Sequence, residues 1–116
     1  MNYEDRVTKQ YIESALANAG VRIATGTYTG DGKYGSSHRN SSNGGFAPKL
    51  VIVMPTYYGM RGFFIRPASY VATRYDGNCG VNISWSSTGV SWYTDSTEAH
   101  GQLNGSGETY RWFAIG

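Results

Sequence analysis

The first twenty residues have the hydrophobic pattern of a short amphipathic helix. Apolar side chains recur at steps of three and four between residues 3 and 19, the spacing of one helical face. They are Val7, Tyr11, Ile12, Ala15, Leu16 and Ala19. Gly20 is suited to end the helix because glycine adopts the left-handed conformation freely. A helix this short is marginal alone in water, so we expect it to pack on the rest of the chain or on other copies.

From residue 21 onward the pattern is that of β-strands. It predicts strands over residues 21–28, 46–54, 63–65, 70–75, 81–86, 90–94 and 110–115. Residues 81–86 and 90–94 alternate cleanly and predict an antiparallel hairpin with Val81, Ile83, Trp85, Val90 and Trp92 facing inward. The run after Pro48 is continuously apolar, which is typical of a strand buried on both faces. Residues 110–115 are apolar on nearly both faces, so we expect that strand in the centre of a sheet.

These elements predict an all-β fold, a six- to seven-stranded antiparallel β-sandwich with a short N-terminal α-helix. Residues 1–20 would form an oligomerisation helix and residues 21–116 a β-sandwich binding domain. Two polar segments, residues 30–45 and 95–107, are predicted loops. The first contains Asp31-Gly32, a hairpin-turn signal, and has room for a short irregular strand. Loops of this length are often functional, so both are candidate contact surfaces.

Composition narrows the class of protein. A chain of 116 residues is suited to one domain, and its 16 glycines and 10 tyrosines are typical of short strands joined by tight turns. The net charge of +2 without a run of Lys or Arg excludes an electrostatic nucleic-acid surface. Cys79 is the single cysteine, which rules out an intrachain disulfide and favours a small, partly buried thiol.

The hydrophobic pattern indicates neither a secretory signal nor a membrane-spanning segment. The polar N-terminus has no apolar segment typical of a secretory signal, and the longest apolar run, residues 50–54, is too short to span a bilayer. We therefore expect synthesis in the cytoplasm, with any extracellular action following export as part of a particle.

The sequence contains few residues in arrangements typical of catalysis. His38 and His100 belong to no metal-binding motif, and no nucleotide or nucleophile motif is present. Asp95 and Glu98 could serve a hydrolase as paired carboxylates, but two acids in a Ser/Thr-rich loop are more typical of a capped turn. The sequence therefore predicts a protein that is not an enzyme and that binds neither cofactor nor metal.

A recognition surface is the remaining interpretation. The predicted loops offer aromatic rings beside Asn, Asp, His and Arg, namely Tyr57, Tyr58, Arg61, Tyr75, Asn78, Tyr93, Asp95, His100 and Asn104. Such groups can bind a sugar, with a ring against its apolar face and polar groups on its hydroxyls. The same residue types are enriched in protein interfaces, so contacts within the core or between subunits are the alternative for each of them.

Two groups of motifs resemble those of known families. The first comprises Val7 to Ile12, then Val21 to Gly30, then Gly45 to Val51. It resembles phage tail and minor structural proteins, in which a short helix leads into a Gly-x-Tyr-x-Gly strand and a Phe-x-Pro-Lys strand. The second group comprises residues 81–116 and ends in Trp112-Phe113-Ala114-Ile115-Gly116. It is similar to the ends of tail-fibre C-terminal domains and to H-type lectins.

The resemblance implies a six-stranded antiparallel sandwich that assembles as a trimer and binds galactose-type sugars near subunit junctions. None of the lectins' sugar-binding residues can be matched here, and the chain lacks their pairable cysteines. The resulting hypothesis is a homotrimeric receptor-binding module of a phage tail fibre, located in the virion, which binds a host glycan or protein. It would contact other tail proteins but neither nucleic acid nor the membrane interior.

Three alternatives to this hypothesis remain open from the sequence. One is a structural virion protein, for example a fibre-capping or decoration subunit, without a ligand. Another is a glycan-cleaving enzyme that uses Asp95 and Glu98. The third is a C-type-lectin-like variable protein, against which the regular hairpin and the single short helix argue.

Overall fold

The computed structural model describes residues 10–12, 14, 20–55, 60–74 and 77–116. Residues 10–12 and 14 are helical and lie within the predicted helix. Of its predicted oligomerisation residues, Val7, Ala15, Leu16 and Ala19 lie outside the described residues. Gly20 has a φ of 79°, the left-handed conformation expected after a helix. In the described part of the chain, no helix has the length and apolar character needed to cross a membrane.

The described residues form eight strands rather than the six or seven predicted. They are β1 (Ile23–Thr29), β2 (Asn40–Asn43), β3 (Leu50–Pro55), β4 (Gly62–Ile65), β5 (Tyr70–Ala72), β6 (Gly80–Trp85), β7 (Gly89–Tyr93) and β8 (Thr109–Ile115). The additional strand, β2, lies inside the predicted loop of residues 30–45 and follows a short 3-10 turn, Ser36–His38. Its sequence is Asn-Ser-Ser-Asn, so no apolar alternation marks it as a strand.

The strands form two four-stranded antiparallel sheets. Sheet A has the order β1-β8-β3-β4, and sheet B has the order β2-β7-β6-β5. The predicted hairpin is confirmed, because β6 pairs directly with β7, and β8 is central in sheet A as expected. Asp31-Gly32 does not close a hairpin, since β1 pairs with β8 and β2 pairs with β7.

The hydrophobic core lies between the two sheets, which gives the fold its sandwich-like form. Sheet A contributes Val51, Val53, Phe64, Tyr110 and Ala114, and sheet B contributes Val81, Ile83, Val90 and Trp92. The rings of Phe64 and Trp92 meet across the gap, with centroids 5.1 Å apart and planes tilted by 52°. Tilted aromatic pairs at this distance are favourable beyond the area that they bury.

The prediction that β3 is buried on both faces is wrong for the single chain. Val51 and Val53 are fully buried on the core face, but Met54 on the other face is 47% exposed. Strand β8 behaves similarly, because Ala114 is buried whereas Phe113 and Ile115 are only half-buried. The outer face of sheet A is therefore apolar in sequence and open to solvent.

The Gly-x-Tyr-x-Gly segment of β1 owes its glycine to a close contact with β8. Gly26 pairs with Trp112, and a Cβ on Gly26 would lie 2.5 Å from the indole ring. Two residues later, Tyr28 stacks on Tyr110 with a centroid distance of 5.1 Å and an angle of 14°. The alternation thus places the glycine under one aromatic ring and the tyrosine beside another.

Replacing Phe64 with alanine should lower the free energy of unfolding by about 3–5 kcal/mol, because it leaves a cavity against Trp92. Urea denaturation followed by tryptophan fluorescence measures this. Tyr34→Ala is the control, since Tyr34 is 41% exposed, and it should cost less than about 1 kcal/mol. Equal losses in the two variants would contradict the core described above.

Candidate functional site

A buried glutamine holds the segment between β1 and β2 against the sandwich. Gln102 is 0% exposed. Its side-chain oxygen accepts hydrogen bonds from the backbone N–H groups of Gly35 (2.8 Å) and Thr94 (2.9 Å). Its amide nitrogen donates to the carbonyl of His38 (2.6 Å) and to Asn40 Oδ1 (3.0 Å). One side chain therefore bonds to four groups from two different segments.

Asn104 performs the same task two residues later. Its amide nitrogen donates to Asp31 Oδ1 (2.6 Å) and to the carbonyl of Lys33 (2.8 Å). Its oxygen accepts from the Asp31 N–H (3.2 Å) and from Asn40 Nδ2 (3.1 Å). The sequence suggested Asn104 as a ligand contact, but it is 4% exposed and its amide bonds within the protein. We therefore assign it to the support of the loop and not to the binding surface.

The side-chain amides of Gln102 and Asn104 hold the segment that contains Arg39. Arg39 is the first residue of the candidate site along the chain. Arg39 follows the 3-10 turn, and its Nε donates to the carbonyl of Ser36 (3.3 Å). Its guanidinium carbon lies 4.7 Å from the centroid of the Tyr93 ring, and one of its terminal nitrogens donates to Ser84 Oγ (3.4 Å). A cation–π contact at an exposed position stabilises by about 0.5–1 kcal/mol. Arg39 is thus held over the outer face of sheet B.

A row of three serines crosses this outer face. Ser41 pairs with Ser91, and Ser91 pairs with Ser84, so the three occupy one register position on β2, β7 and β6. Ser42, Val90 and Ile83, which neighbour them along the strands, are buried. Because side chains alternate along a strand, the three serines project outward together.

The next outward row on sheet B is aromatic at both ends. Tyr93 pairs with Asn82, and Asn82 pairs with Tyr70. Asn82 Nδ2 donates to Asp95 Oδ2 (2.8 Å), which orients the amide between the two rings. Tyr70 is 56% exposed, and its ring covers Gly80, where a Cβ would collide with it. The strand spacing separates Tyr70 from Tyr93 by about 10 Å.

We call this surface the serine–tyrosine face. It comprises Arg39, Ser41, Tyr70, Asn82, Ser84, Ser91 and Tyr93. A shallow depression of about 220 Å³ lies on its serine side and is lined by Ser41, Ser42, Asn43, Ser84, Trp85, Ser86, Gly89, Val90 and Ser91. This volume lies below the ~300 Å³ at which drug-sized pockets begin, so the depression suits a small polar group or one sugar ring.

The sequence predicted two residues at or beside this face and missed most of the others. Tyr93 belongs to it, and Asp95 supports it through Asn82. Arg61 lies just before β4 in sheet A, and Asn78 is exposed in the turn before β6. Tyr57, Tyr58 and Tyr75 lie outside the described residues. The signal that marks the missed residues in the sequence is the polar half of the alternation in β6 and β7, where Asn82, Ser84 and Ser91 face outward.

His100, another predicted contact, lies in a separate cluster. Its Nδ1 is 3.5 Å from Glu98 Oε1, and its Nε2 is 3.6 Å from Glu108 Oε1. The Tyr110 hydroxyl donates to Glu108 Oε2 (2.6 Å) and accepts from the Gly105 N–H (2.9 Å). Burial, together with the bond to Glu108, raises the pKa of Tyr110. The cluster therefore ties the segment before β8 to the core.

The two carboxylates considered for hydrolysis contact different groups. Asp95 accepts from Asn82, whereas Glu98 faces His100. Among the described residues, no group of three or more His, Cys, Asp and Glu side chains could hold a metal ion. Cys79 is buried, with its Sγ 3.5 Å from Ser96 Oγ.

Asn104→Ala should lower the free energy of unfolding by about 2–3 kcal/mol, because it removes the four hydrogen bonds of a buried amide. Asn43→Ala is the matched control, since the two hydrogen bonds of the Asn43 side chain, with Thr88 and Gly45, are exposed to water, and their loss should cost about 1 kcal/mol or less. Chemical denaturation measures both. Two small losses of similar size would mean that the loop does not depend on Asn104.

Stability should also fall in acid through Asp31. The Lys33 N–H that donates to Asp31 holds the pKa of this carboxyl below its ordinary value; partial desolvation opposes this effect, and the Asn104 amide reinforces it. A carboxyl with a lowered folded-state pKa contributes stability above its unfolded pKa of about 4 and loses it as pH falls through the folded value. Asp31→Asn should therefore flatten the dependence of the urea midpoint on pH between about 5 and 2. An unchanged slope would show that other carboxyls account for the loss.

Comparison with models of protein families, with curated proteins and with solved structures finds no match to this chain. The chemistry of the serine–tyrosine face and the short motifs in the sequence are therefore the features that bear on function.

Proposed function

We propose that this chain is a non-catalytic binding module that recognises a carbohydrate on the serine–tyrosine face. The observation that supports this most is the pair of adjacent rows, Ser41–Ser91–Ser84 and Tyr93–Asn82–Tyr70, on one open sheet. Hydroxyls, an oriented amide and two rings are the groups that a sugar requires.

The tyrosines suit the apolar faces of sugar rings. Tyr70 is open to solvent and is held against the sheet over Gly80, so little side-chain entropy is lost when a ligand covers it. Tyr93 is half-buried under Arg39 and presents a fixed edge. A separation of about 10 Å means that only a ligand longer than one sugar ring can contact both tyrosines at once.

The serines and Arg39 can form hydrogen bonds with the hydroxyls of a sugar. Each serine hydroxyl both donates and accepts, as sugar hydroxyls do. Arg39 uses one nitrogen on Ser84 and another on Ser36, and its guanidinium has further donors in a planar fork. Within the described residues Arg39 has no carboxylate partner, so its positive charge is available to a polar ligand.

The site is shallow, so one copy would bind weakly. Several weak sites presented together reach higher avidity, which favours a homotrimer assembled through the N-terminal helix. The motifs that resemble phage tail proteins support a role as the receptor-binding module of a tail fibre, located in the virion and directed at a host surface. The alternative is a structural virion protein without a ligand, which the resemblance to minor structural proteins also favours.

A glycan array probed with the intact chain tests the proposal. We expect binding to a defined set of glycans and a loss of at least about tenfold in affinity for Tyr93→Ala, equivalent to about 1.4 kcal/mol. Tyr34→Ala is the matched control, because Tyr34 is exposed outside the serine–tyrosine face, and its affinity should be unchanged. Circular dichroism of each variant would verify that the fold persists.

Other outcomes would decide against the proposal. Binding only to another virion protein would favour the structural alternative. Released oligosaccharide that disappears in Asp95→Ala or Glu98→Ala would show an enzyme.

A further inference from the structure

The outer face of sheet A is mainly apolar at one end of its strands, whereas Thr27, Arg111 and Thr109 make the other end of β1 and β8 polar. Register aligns Ile23, Ile115, Leu50 and Ile65 in one row and Thr25, Phe113, Ile52 and Phe63 in the next. Met54 continues the surface in the third row. We call this the apolar face, and it comprises Ile23, Leu50, Ile52, Met54, Phe63, Ile65, Phe113 and Ile115.

Much of this surface is open to solvent in the single chain. Ile65 is 60% exposed, Met54 47% and Phe63 45%. Antiparallel sheets with one solvated face normally alternate apolar and polar residues, and contiguous apolar patches on monomers are typical of binding surfaces. The continuous apolar pattern of β3 and β8 is that of strands covered on both sides. Their sequences are therefore suited to an assembly in which the apolar face is buried.

The N-terminal helix also has apolar side chains that are open to solvent. Tyr11 is 75% exposed and Ile12 48% exposed, so the helix does not bury these apolar side chains within its own chain. The chain enters sheet A directly after it, where Arg22 and Gly116 exchange two backbone hydrogen bonds (2.7 and 2.9 Å). Ile23, the first residue of β1, begins the first row of the apolar face. The apolar face therefore begins just after a segment whose described apolar side chains, Tyr11 and Ile12, are also open to solvent.

Charge is complementary between the two surfaces. No strand of sheet A contains an acidic residue, and Arg61 and Arg111 lie exposed at the border of the apolar face. The N-terminal twenty residues hold three acidic side chains, Glu4, Asp5 and Glu13, against two basic ones, Arg6 and Lys9, so their side chains carry a net charge of −1. Opposite charges at the border of an apolar contact help to set its orientation.

We propose that the apolar face is a subunit interface and that its occupant is the N-terminal helix of a second copy of this chain. The helix that the sequence predicts over residues 3–19 would be about 25 Å long, enough to cross four strands spaced about 4.8 Å apart. This exchange buries Tyr11 and Ile12 of one copy against Phe63 and Ile65 of the next. The inference rests on the assembly of copies proposed above, but it does not depend on the ligand.

Light scattering of matched variants tests the interface. Ile65→Asp places a charge on the apolar face, and Tyr70→Asp places one on the opposite sheet at a similar exposure, 60% against 56%. We expect the wild-type chain and Tyr70→Asp to be oligomeric and Ile65→Asp to assemble at least about tenfold more weakly, equivalent to about 1.4 kcal/mol, with an unchanged circular dichroism spectrum.

Cross-linking tests the occupant. In a Cys79→Ser background, the double variant with Ile12→Cys and Ile65→Cys should form covalent multimers with a short bismaleimide, whereas Ile12→Cys with Tyr70→Cys should not. A link within one chain would show that the helix covers its own sheet and would overturn the proposal. An oligomer insensitive to Ile65→Asp would place the interface elsewhere, for example in a bundle of helices, and would also overturn it. A monomeric wild-type chain would contradict both this interface and the homotrimer, while glycan binding would be judged separately on the array.

Discussion

Two buried amides, Gln102 and Asn104, bond the loop before β2 to the segment before β8. Together they make eight hydrogen bonds. Seven of these join residues more than sixty positions apart in the sequence, and the eighth is the bond to Thr94. Leu103 between them has a φ of 62°, a conformation that costs a non-glycine residue about 1–2 kcal/mol. Leu103 is fully buried, and its carbonyl accepts from the Tyr28 hydroxyl (2.7 Å). The hydrogen bonds and the burial of Leu103 offset its backbone strain. The same conformation places the side chains of Gln102 and Asn104 against the loop before β2.

The position of the candidate site follows from this network. Gln102 donates a hydrogen bond to the carbonyl of His38 and so fixes the backbone where Arg39 begins. The Arg39 side chain can therefore lie over the Tyr93 ring. Because both amides bond to Asn40, β2 begins in register with β7 and brings Ser41 beside Ser91. In the described part of the chain every buried side-chain nitrogen and oxygen has a hydrogen-bond partner, as expected of a network that fixes a structure.

The two outer faces of the sandwich have opposite chemistry. Sheet B presents hydroxyls, an amide, a guanidinium and two tyrosines, whereas sheet A presents isoleucine, leucine, phenylalanine and methionine. This difference supports a division in which one face binds a polar ligand and the other contacts copies of the chain. Opposite faces also point away from each other, so assembly through sheet A would leave the serine–tyrosine face open.

The sequence by itself determined the strands that have apolar alternation, the β6–β7 hairpin, the central place of β8 and the glycine after the helix. Those features depend on local periodicity and turn chemistry, which a single sequence displays. It left room for a short irregular strand within residues 30–45 but could not locate β2, whose four polar residues form a strand only because Gln102 and Asn104 hold its start against β7. It also could not separate Tyr93, a surface residue of the site, from Asn104, a buried support. Only tertiary structure decided this, because the role of a polar side chain depends on whether distant backbone groups surround it. The rows of serines and tyrosines likewise arise from strand register, which is set by pairings between segments far apart in the chain.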